Sequence, residues 1–183
     1  MAPNFTTVAY SYIGPKVTYP FYRSGTIGKA KEHLEATARQ LSARLNRNGG
    51  GAYVSVNKAL VTRASAVIPA VSLYISLLYK VMKKRGTHEG CIEQIDRLFR
   101  TRLYAGKPVP VDADGLIRID DWEMDAQVQA EITALWDQVS GDNLKELCDV
   151  KGVEEDFLQL NGFGIPGVDY EAEVAETVLE HGV

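Results

Sequence analysis

The sequence is poor in the motifs that announce a chemistry. It has no GxxxxGK(S/T) phosphate loop, no GxSxG nucleophile elbow and no HExxH zinc helix. It also lacks a dinucleotide-binding GxGxxG in the strand–loop–helix setting that such a loop requires. Cysteine is scarce. Cys91 and Cys148 stand alone without a CxxC, which removes the usual zinc and redox motifs. A disulfide between them is not expected, and no signal peptide precedes the first strand-like segment. Both features point to a reducing cytoplasm. Long apolar runs are missing too. The best candidate, residues 67–82, is interrupted by Pro69, Ser72, Ser76 and Lys80 and is too short to span a bilayer. Positive charge is not in excess: the net charge is −4, so nucleic-acid binding has no electrostatic support. The densest basic run, Lys83-Lys84-Arg85, reads as the solvated end of a helix. There is no internal repeat.

What is present is a globular balance of 45% hydrophobic and 24% charged residues over 183 positions, enough for one sizeable core. Residues 5–13 (FTTVAYSYI) are β-branched and aromatic and predict a strand, which Gly14-Pro15 ends. Residues 16–25 read as a loop. From Ile27 the apolar positions Ile27, Ala30, Leu34, Ala38, Leu41 and Leu45 recur at helical spacing, with Ser24 or Thr26 as cap and Asn48 to Gly51 as stop. A second strand begins at Tyr53 and runs on to Thr62. Strand, long helix, strand predicts a βαβ unit with a parallel pair. Beyond Thr62 helices dominate: residues 67–84, then one capped by Thr87 with the stripe Ile92, Ile95, Phe99 and Leu103. Others are marked by Val128, Ile132, Leu135 and Val139, and by Leu144 with Leu147. Residues 107–119, with Asp112-Ala113-Asp114-Gly115 at their centre, predict a hairpin. Residues 157–167 read as a short helix breaking into a glycine-rich loop, and the acidic tail from Glu171 as frayed.

Few of these residues carry chemistry unaided. Gly49-Gly50-Gly51 follows a helix and precedes a strand, the reverse of a dinucleotide loop, and Gly162-Phe163-Gly164 is equally weak as a nucleotide signal. His88 and Cys91 lie near one another at a helix start, but a small cysteine there reads as packing, and a fourth metal ligand is lacking. Asp112 with Asp114, and Asp120, Asp121, Glu123 and Asp125, fit turns and helix caps. No metal site is expected.

Tyr22 and Lys31 are nine residues apart, a Y-x8-K spacing. With nine tyrosines and ten lysines in 183 residues, chance alone supplies about half a pair, and Tyr74 with Lys83 repeats the spacing inside an apolar helix. Nine steps of about 100° place two side chains on opposite sides of one helix. Tyr22 and Lys31 can therefore share a site only if Tyr22 lies before the helix that carries Lys31. Pro20, Ser24, Gly25 and Gly28 permit such a bend. Nothing breaks the helix between Tyr74 and Lys83, which should diverge.

The string VAYSYIGPKVTYPFYRSGTIGKAKEHL, followed in order by VSVNKALVTRASAVIP, SLYISLLYKVMKKRGTHEGCIEQ, LWDQV and FLQLNGFGIPGVDY, resembles the FabV-type NADH-dependent trans-2-enoyl-CoA (enoyl-thioester) reductases, members of the short-chain dehydrogenase/reductase superfamily. The resemblance runs from about Thr7 to Tyr170 and covers that family's C-terminal half. It implies an α/β fold: an incomplete Rossmann-like βαβ unit, then a mostly helical part with a small hairpin. Residues 1–106 would be the catalytic and substrate part and 107–183 a C-terminal subdomain. The resemblance places Tyr22 at the catalytic tyrosine and Lys31 at the catalytic lysine that also holds the cofactor ribose. Tyr12 falls at a substrate-contacting tyrosine, and Leu60, Val61 and Thr62 where the backbone meets the nicotinamide. Hydride would add to C3 of the enoyl thioester while a phenol serves the oxygen, with a nearby ammonium lowering the phenol's pKa. NADH is the implied cofactor. An FAD label has been attached to the family's C-terminal section, but nothing in FLQLNGFGIPG supports a flavin. The implied substrates are trans-2-enoyl-CoA or enoyl-acyl-carrier-protein, in fatty-acid biosynthesis. A separately encoded N-terminal half would be a further partner. The alternative is an inactive truncated paralogue acting as an interaction or dimerisation module.

Overall fold

The computed structural model describes residues 2–106 and 108–173. Strand β1 (Thr6–Ser11) pairs in parallel with β2 (Gly51–Val56), in register from Thr6 opposite Gly51 to Ser11 opposite Val56. Between them lie a 3-10 turn (Lys16–Thr18), a one-turn helix α1 (Tyr19–Tyr22) and the long helix α2 (Thr26–Leu45). Successive strand residues face opposite sides, and β2 is buried on both. Val54 and Val56 meet Leu34 and Ala38 of α2, while Tyr53 packs on the other face beside Leu98 and Ile117. Tertiary cover trims the stripe expected for α2. Leu34, Ala38 and Leu45 turn inward, but Ile27 and Leu41 are exposed.

Helix α3 (Pro69–Arg85) begins with proline in its first turn, where no backbone N–H is lost. It buries Val71, Tyr74, Ile75, Leu77, Leu78, Tyr79, Val81 and Met82, too many for one stripe, as befits a helix covered on most sides. Each such side chain stabilises the fold by about 1.5–3 kcal/mol. The exposed pairs of Lys84 and Arg85 with Glu131 contribute about 0–1 kcal/mol each, so apolar burial decides where α3 sits. Next come α4 (Cys91–Leu98), continued by a π-helical turn (Phe99–Leu103), and strand β3 (Leu116–Arg118). Helices α5 (Ala126–Trp136), α6 (Leu144–Leu147) and α7 (Val150–Leu160) complete the described chain, with side chains of all three packed against α3's core.

Several expectations change. Residues 16–25, expected as a loop, hold the 3-10 turn and α1, and the residue at the cap of α2 is Gly25, not Ser24 or Thr26. Among the described residues of 107–119 no hairpin forms. Asp112 does make the turn, accepting from Asp114 N and Leu116 N, but the following arm becomes β3 and pairs in parallel with β2. A short isolated hairpin buries little, whereas beside β2 both Leu116 and Ile117 are buried. Strand β2 stops at Val56 instead of reaching Thr62, because the Val56 carbonyl is taken by Ile119 N and Asp120 N and the chain then leaves the sheet. On α4, Ile92 is 78% exposed and Gln94 is buried. The helix starts only at Cys91, where the Glu93 carboxylate accepts Gly90 N–H at 3.1 Å. Helix α7 begins at Val150, seven residues before the expected Phe157, because Asp149 caps it by accepting from Gly152 N. Of the tail expected to fray, residues 174–183 lie outside the described residues.

Candidate active site

Tyr12 follows β1 directly, and the chain turns at Gly14. That residue has φ +72°, and a Cβ there would collide with the Tyr12 phenol and the Thr18 hydroxyl. Glycine is therefore what lets Tyr12 fold back beside the 3-10 turn. Pro20 lies in the first turn of α1, and Tyr22 is its last residue. Arg23 to Gly25 separate α1 from α2, and Gly28 packs so closely on the Arg23 carbonyl that any Cβ would overlap it. The elbow puts Tyr22 outside the helix that carries Lys31, as helix geometry demands.

The three side chains meet. The Tyr12 and Tyr22 rings form an edge-to-face pair with centroids 4.9 Å apart. Lys31 Nζ lies 4.8 Å from the Tyr22 ring centroid and 5.6 Å from that of Tyr12, and donates a hydrogen bond to the Tyr12 carbonyl. Burial, aided by the Arg23 guanidinium, pushes the Lys31 ammonium down to about 8. Burial also raises the Tyr22 phenol. Here the structure departs from expectation: the ammonium sits over the ring faces and not at the hydroxyl, so it does not lower the Tyr22 pKa. Tyr74 and Lys83 diverge. Tyr74 is buried, and Lys83 reaches Asp149 at 2.6 Å.

Leu60, Val61 and Thr62 form a loop held by Ser65, whose Oγ accepts Thr62 N–H at 2.8 Å and donates to the Leu60 carbonyl at 2.9 Å. Val61 belongs to the core cluster against which Tyr12 and Tyr22 pack. Among the described residues, no hydrogen bond or cation–ring contact joins residues 60–62 to Lys31. His88 stacks edge-on against Tyr79 at 4.4 Å, and burial with Lys58 and Lys83 nearby lowers its pKa to about 4. Cys91, expected to be packed, is exposed, and Cys148 is buried; both are free.

Sequence reasoning missed the group behind Tyr12. Glu123 is completely buried. Its Oε1 accepts from Tyr12 Oη at 3.0 Å and Tyr74 Oη at 2.7 Å, and its Oε2 accepts Ala59 N–H at 2.7 Å. Lys58 is buried beside it, donating to the Ala59 carbonyl at 3.0 Å, and burial lowers its pKa to about 8. Desolvation raises Glu123 and, with Glu123 near, raises Tyr12 and Tyr74 well above the ordinary phenol range. Within its acidic run only Asp125 is a cap, accepting from Gln127 N and Val128 N. Nothing local in the run distinguishes Glu123 from a turn residue.

Residues 1–104 match the family model of the trans-2-enoyl-CoA reductase catalytic region. The chain belongs to the trans-2-enoyl-CoA reductase family. Residues 111–174 match a second model, the enoyl reductase FAD binding domain. Across its whole length the chain is 58% identical to an enoyl-(acyl-carrier-protein) reductase (NADH) of Cytophaga hutchinsonii, covering 46% of that protein. Over 97% of its length it is 58% identical to the enzyme of that name from Flavobacterium johnsoniae, covering 45% of it. The trans-2-enoyl-CoA reductase of Clostridium acetobutulicum in complex with NADH superposes with a TM-score of 0.91 at 48% identity, over 95% of this chain and 44% of that one. The Treponema denticola trans-2-enoyl-CoA reductase in complex with NAD superposes at 0.86 with 56% identity, over 92% of this chain and 42% of that one. The chain thus spans under half the length of these reductases, and its parallel sheet is a partial Rossmann-like one.

The flavin label does not fit the residues of this reductase segment. Residues 162–167 (GFGIPG) do spell GxGxxG, but they follow α7 where a phosphate loop must follow a strand, and no helix opens after them among the described residues. Of the segment's three basic residues, Arg118 is paired with Asp120 and Asp112, and Lys151 with Glu155. Among the described residues, that leaves Lys145 as the one cation of the segment free for a pyrophosphate.

Proposed function

We propose that the chain is the catalytic, substrate-side half of a reductase that uses NADH to reduce the C2=C3 bond of trans-2-enoyl-CoA or enoyl-acyl-carrier-protein. It works with an amino-terminal, cofactor-binding half, either joined to it or supplied as a separate polypeptide. The observation that carries this reading is the meeting of Tyr12, Tyr22 and Lys31 at one elbow, in a chain similar over its length to NADH-dependent enoyl reductases. Division into a catalytic part, 1–106, and a C-terminal part, 107–183, is supported by two family models that meet between residues 104 and 111. The free thiols suit a reducing compartment, and we place the assembly in the cytoplasm. Among the described residues no helix is long and apolar enough to cross a membrane.

NADH, when bound, supplies a hydride to C3 of the enoyl group. The Tyr22 hydroxyl, which has no protein partner among the described residues, donates a hydrogen bond to the thioester oxygen as negative charge collects there, and can release its proton. Lys31 spends one donor on the Tyr12 carbonyl. An ammonium has three, so two remain for ribose hydroxyls, and the residues present fit a nicotinamide nucleotide. Tyr12 and the loop at Leu60, Val61 and Thr62 bound the space on the substrate and nicotinamide sides.

The test mixes this chain with the amino-terminal half of the Cytophaga hutchinsonii relative and follows NADH oxidation dependent on crotonyl-CoA. Turnover is expected, and Tyr22→Phe should lower it about 100-fold or more, the scale of a lost general acid. A folded but inert pair, or turnover indifferent to Tyr22→Phe, would refute the reading.

A further inference from the structure

We propose that Glu123 is a positioning residue for this reductase site, binding Tyr12 and the segment that follows β2 to a single carboxylate. The inference rests on the function proposed above. Three donors converge on two oxygens: the Tyr12 and Tyr74 hydroxyls on Oε1 and Ala59 N–H on Oε2. Their origins matter. Tyr12 comes from the end of β1, Ala59 from the loop leading to Leu60, Val61 and Thr62, and Tyr74 from the core of α3. One carboxylate therefore ties the substrate-side tyrosine, the proposed nicotinamide-side loop and the central helix into a fixed arrangement.

The carboxylate is itself held from behind. Gln129 of α5 donates its side-chain amide to the Glu123 carbonyl at 2.7 Å and to the Tyr74 hydroxyl at 3.2 Å. Arg97, largely buried, bonds Glu89 at 2.7 and 2.8 Å, Asp121 at 2.7 Å and the Ile119 carbonyl at 2.7 Å, fixing the turn from which Glu123 projects. A buried carboxylate is costly unless its lone pairs are satisfied. Here three donors and the neighbouring Lys58 satisfy them.

The arrangement also divides the work between the tyrosines. Tyr12 commits its hydroxyl proton to Glu123, so it meets a substrate with a ring edge and an oxygen lone pair. Tyr22 remains the phenol with a proton to give. Glutamine has the shape of glutamate but a single acceptor oxygen. In Glu123→Gln, either the tyrosines or Ala59 N–H must face an amide N–H.

A double-mutant cycle on the assembled reductase tests this. Glu123→Gln and Tyr12→Phe are each expected to lower kcat for crotonyl-CoA reduction about tenfold, and together also about tenfold, because both cut the same link. A combined loss of about a hundredfold, or a Glu123→Gln variant with unchanged kcat, overturns the proposal. An inert parent assembly refutes the reductase reading and this proposal with it; an active parent with additive losses refutes the proposal alone. If Glu123→Gln fails to fold, the 13C resonance of the Glu123 carboxyl is compared between parent and Tyr12→Phe. It is expected to move when the hydroxyl is removed, and an unmoved resonance overturns the proposal.

Discussion

In the proposed reaction, Lys31 is the single residue that bears most directly on chemistry. Its ammonium is pushed down to about 8 from the ordinary 10.5 by burial and by Arg23, so it sheds its charge just above neutrality. If that charge serves the reaction, kcat/KM in the assembled reductase falls as pH rises through about 8. Lys31→Arg, whose guanidinium keeps its proton, should move the limb to higher pH even if it lowers the rate. A pH profile flat from 7 to 9 would contradict this. The spacing to Tyr22 was visible in the sequence, but it was shared with Tyr74 and Lys83, and only the wider string told the two apart. Glu123 was not legible at all. It stands between Trp122 and Met124 in a run whose aspartates read as turn and cap residues, and its partners lie 49, 64 and 111 residues away.

At the scale of elements, the α1–α2 elbow determines whether Tyr22 reaches Lys31. Gly28 sits against the Arg23 carbonyl with no room for a Cβ, and backbone cannot yield as a flexible side chain can. Gly28→Ala should cost about 1–3 kcal/mol, the range for overpacking, despite alanine's better helix propensity. It should also displace Tyr22 and cut turnover. Thermal melts and the crotonyl-CoA assay check both, and a more stable, fully active variant would refute the argument. Asp125→Ala should cost about 1 kcal/mol by uncapping α5 without altering kinetics. A sequence reader could foresee this cap from residue type. Strand β3 could not be foreseen as a partner of β2. Three residues carry no periodicity, and their pairing is set by which edge can bury Ile117.

The whole molecule has an uneven titration balance. Lys31 and Lys58, both lowered to about 8, bind fewer protons folded than unfolded between about 8 and 10.5, so stability rises with pH across that window. Lowered to about 4, His88 does the same between about 4 and 6.5. Glu123, raised, works in the opposite direction above 4.5. Tyr12, Tyr74 and Tyr79 are raised, so unfolded tyrosines ionise first above 10 and stability falls there. The melting temperature is expected to be higher at about pH 9 than at pH 7 and to drop again above 10; a steady decline from pH 7 would refute this. The surface is uneven as well. Among the described residues β1 is an open sheet edge, with Tyr10 55% exposed, and Phe5, Tyr19, Phe21 and Ile27 are exposed in the same N-terminal part of the chain. Unpaired strand edges and apolar patches recruit partners. The isolated chain should therefore self-associate on size exclusion, and an added amino-terminal half should convert it to a one-to-one complex.

Local chemistry was readable where local chemistry decides. Periodicity marked α2 and α3, proline and glycine marked the elbow, aspartates marked the turn and cap, and a long matching string marked the family. Tertiary structure alone decided which face of each helix is covered, where β2 ends, which strand β3 joins, and that Glu123 stands behind Tyr12. The physical reason is common to all four. Burial and hydrogen-bond satisfaction are properties of a place, and residues far apart in the chain create that place only when they pack together.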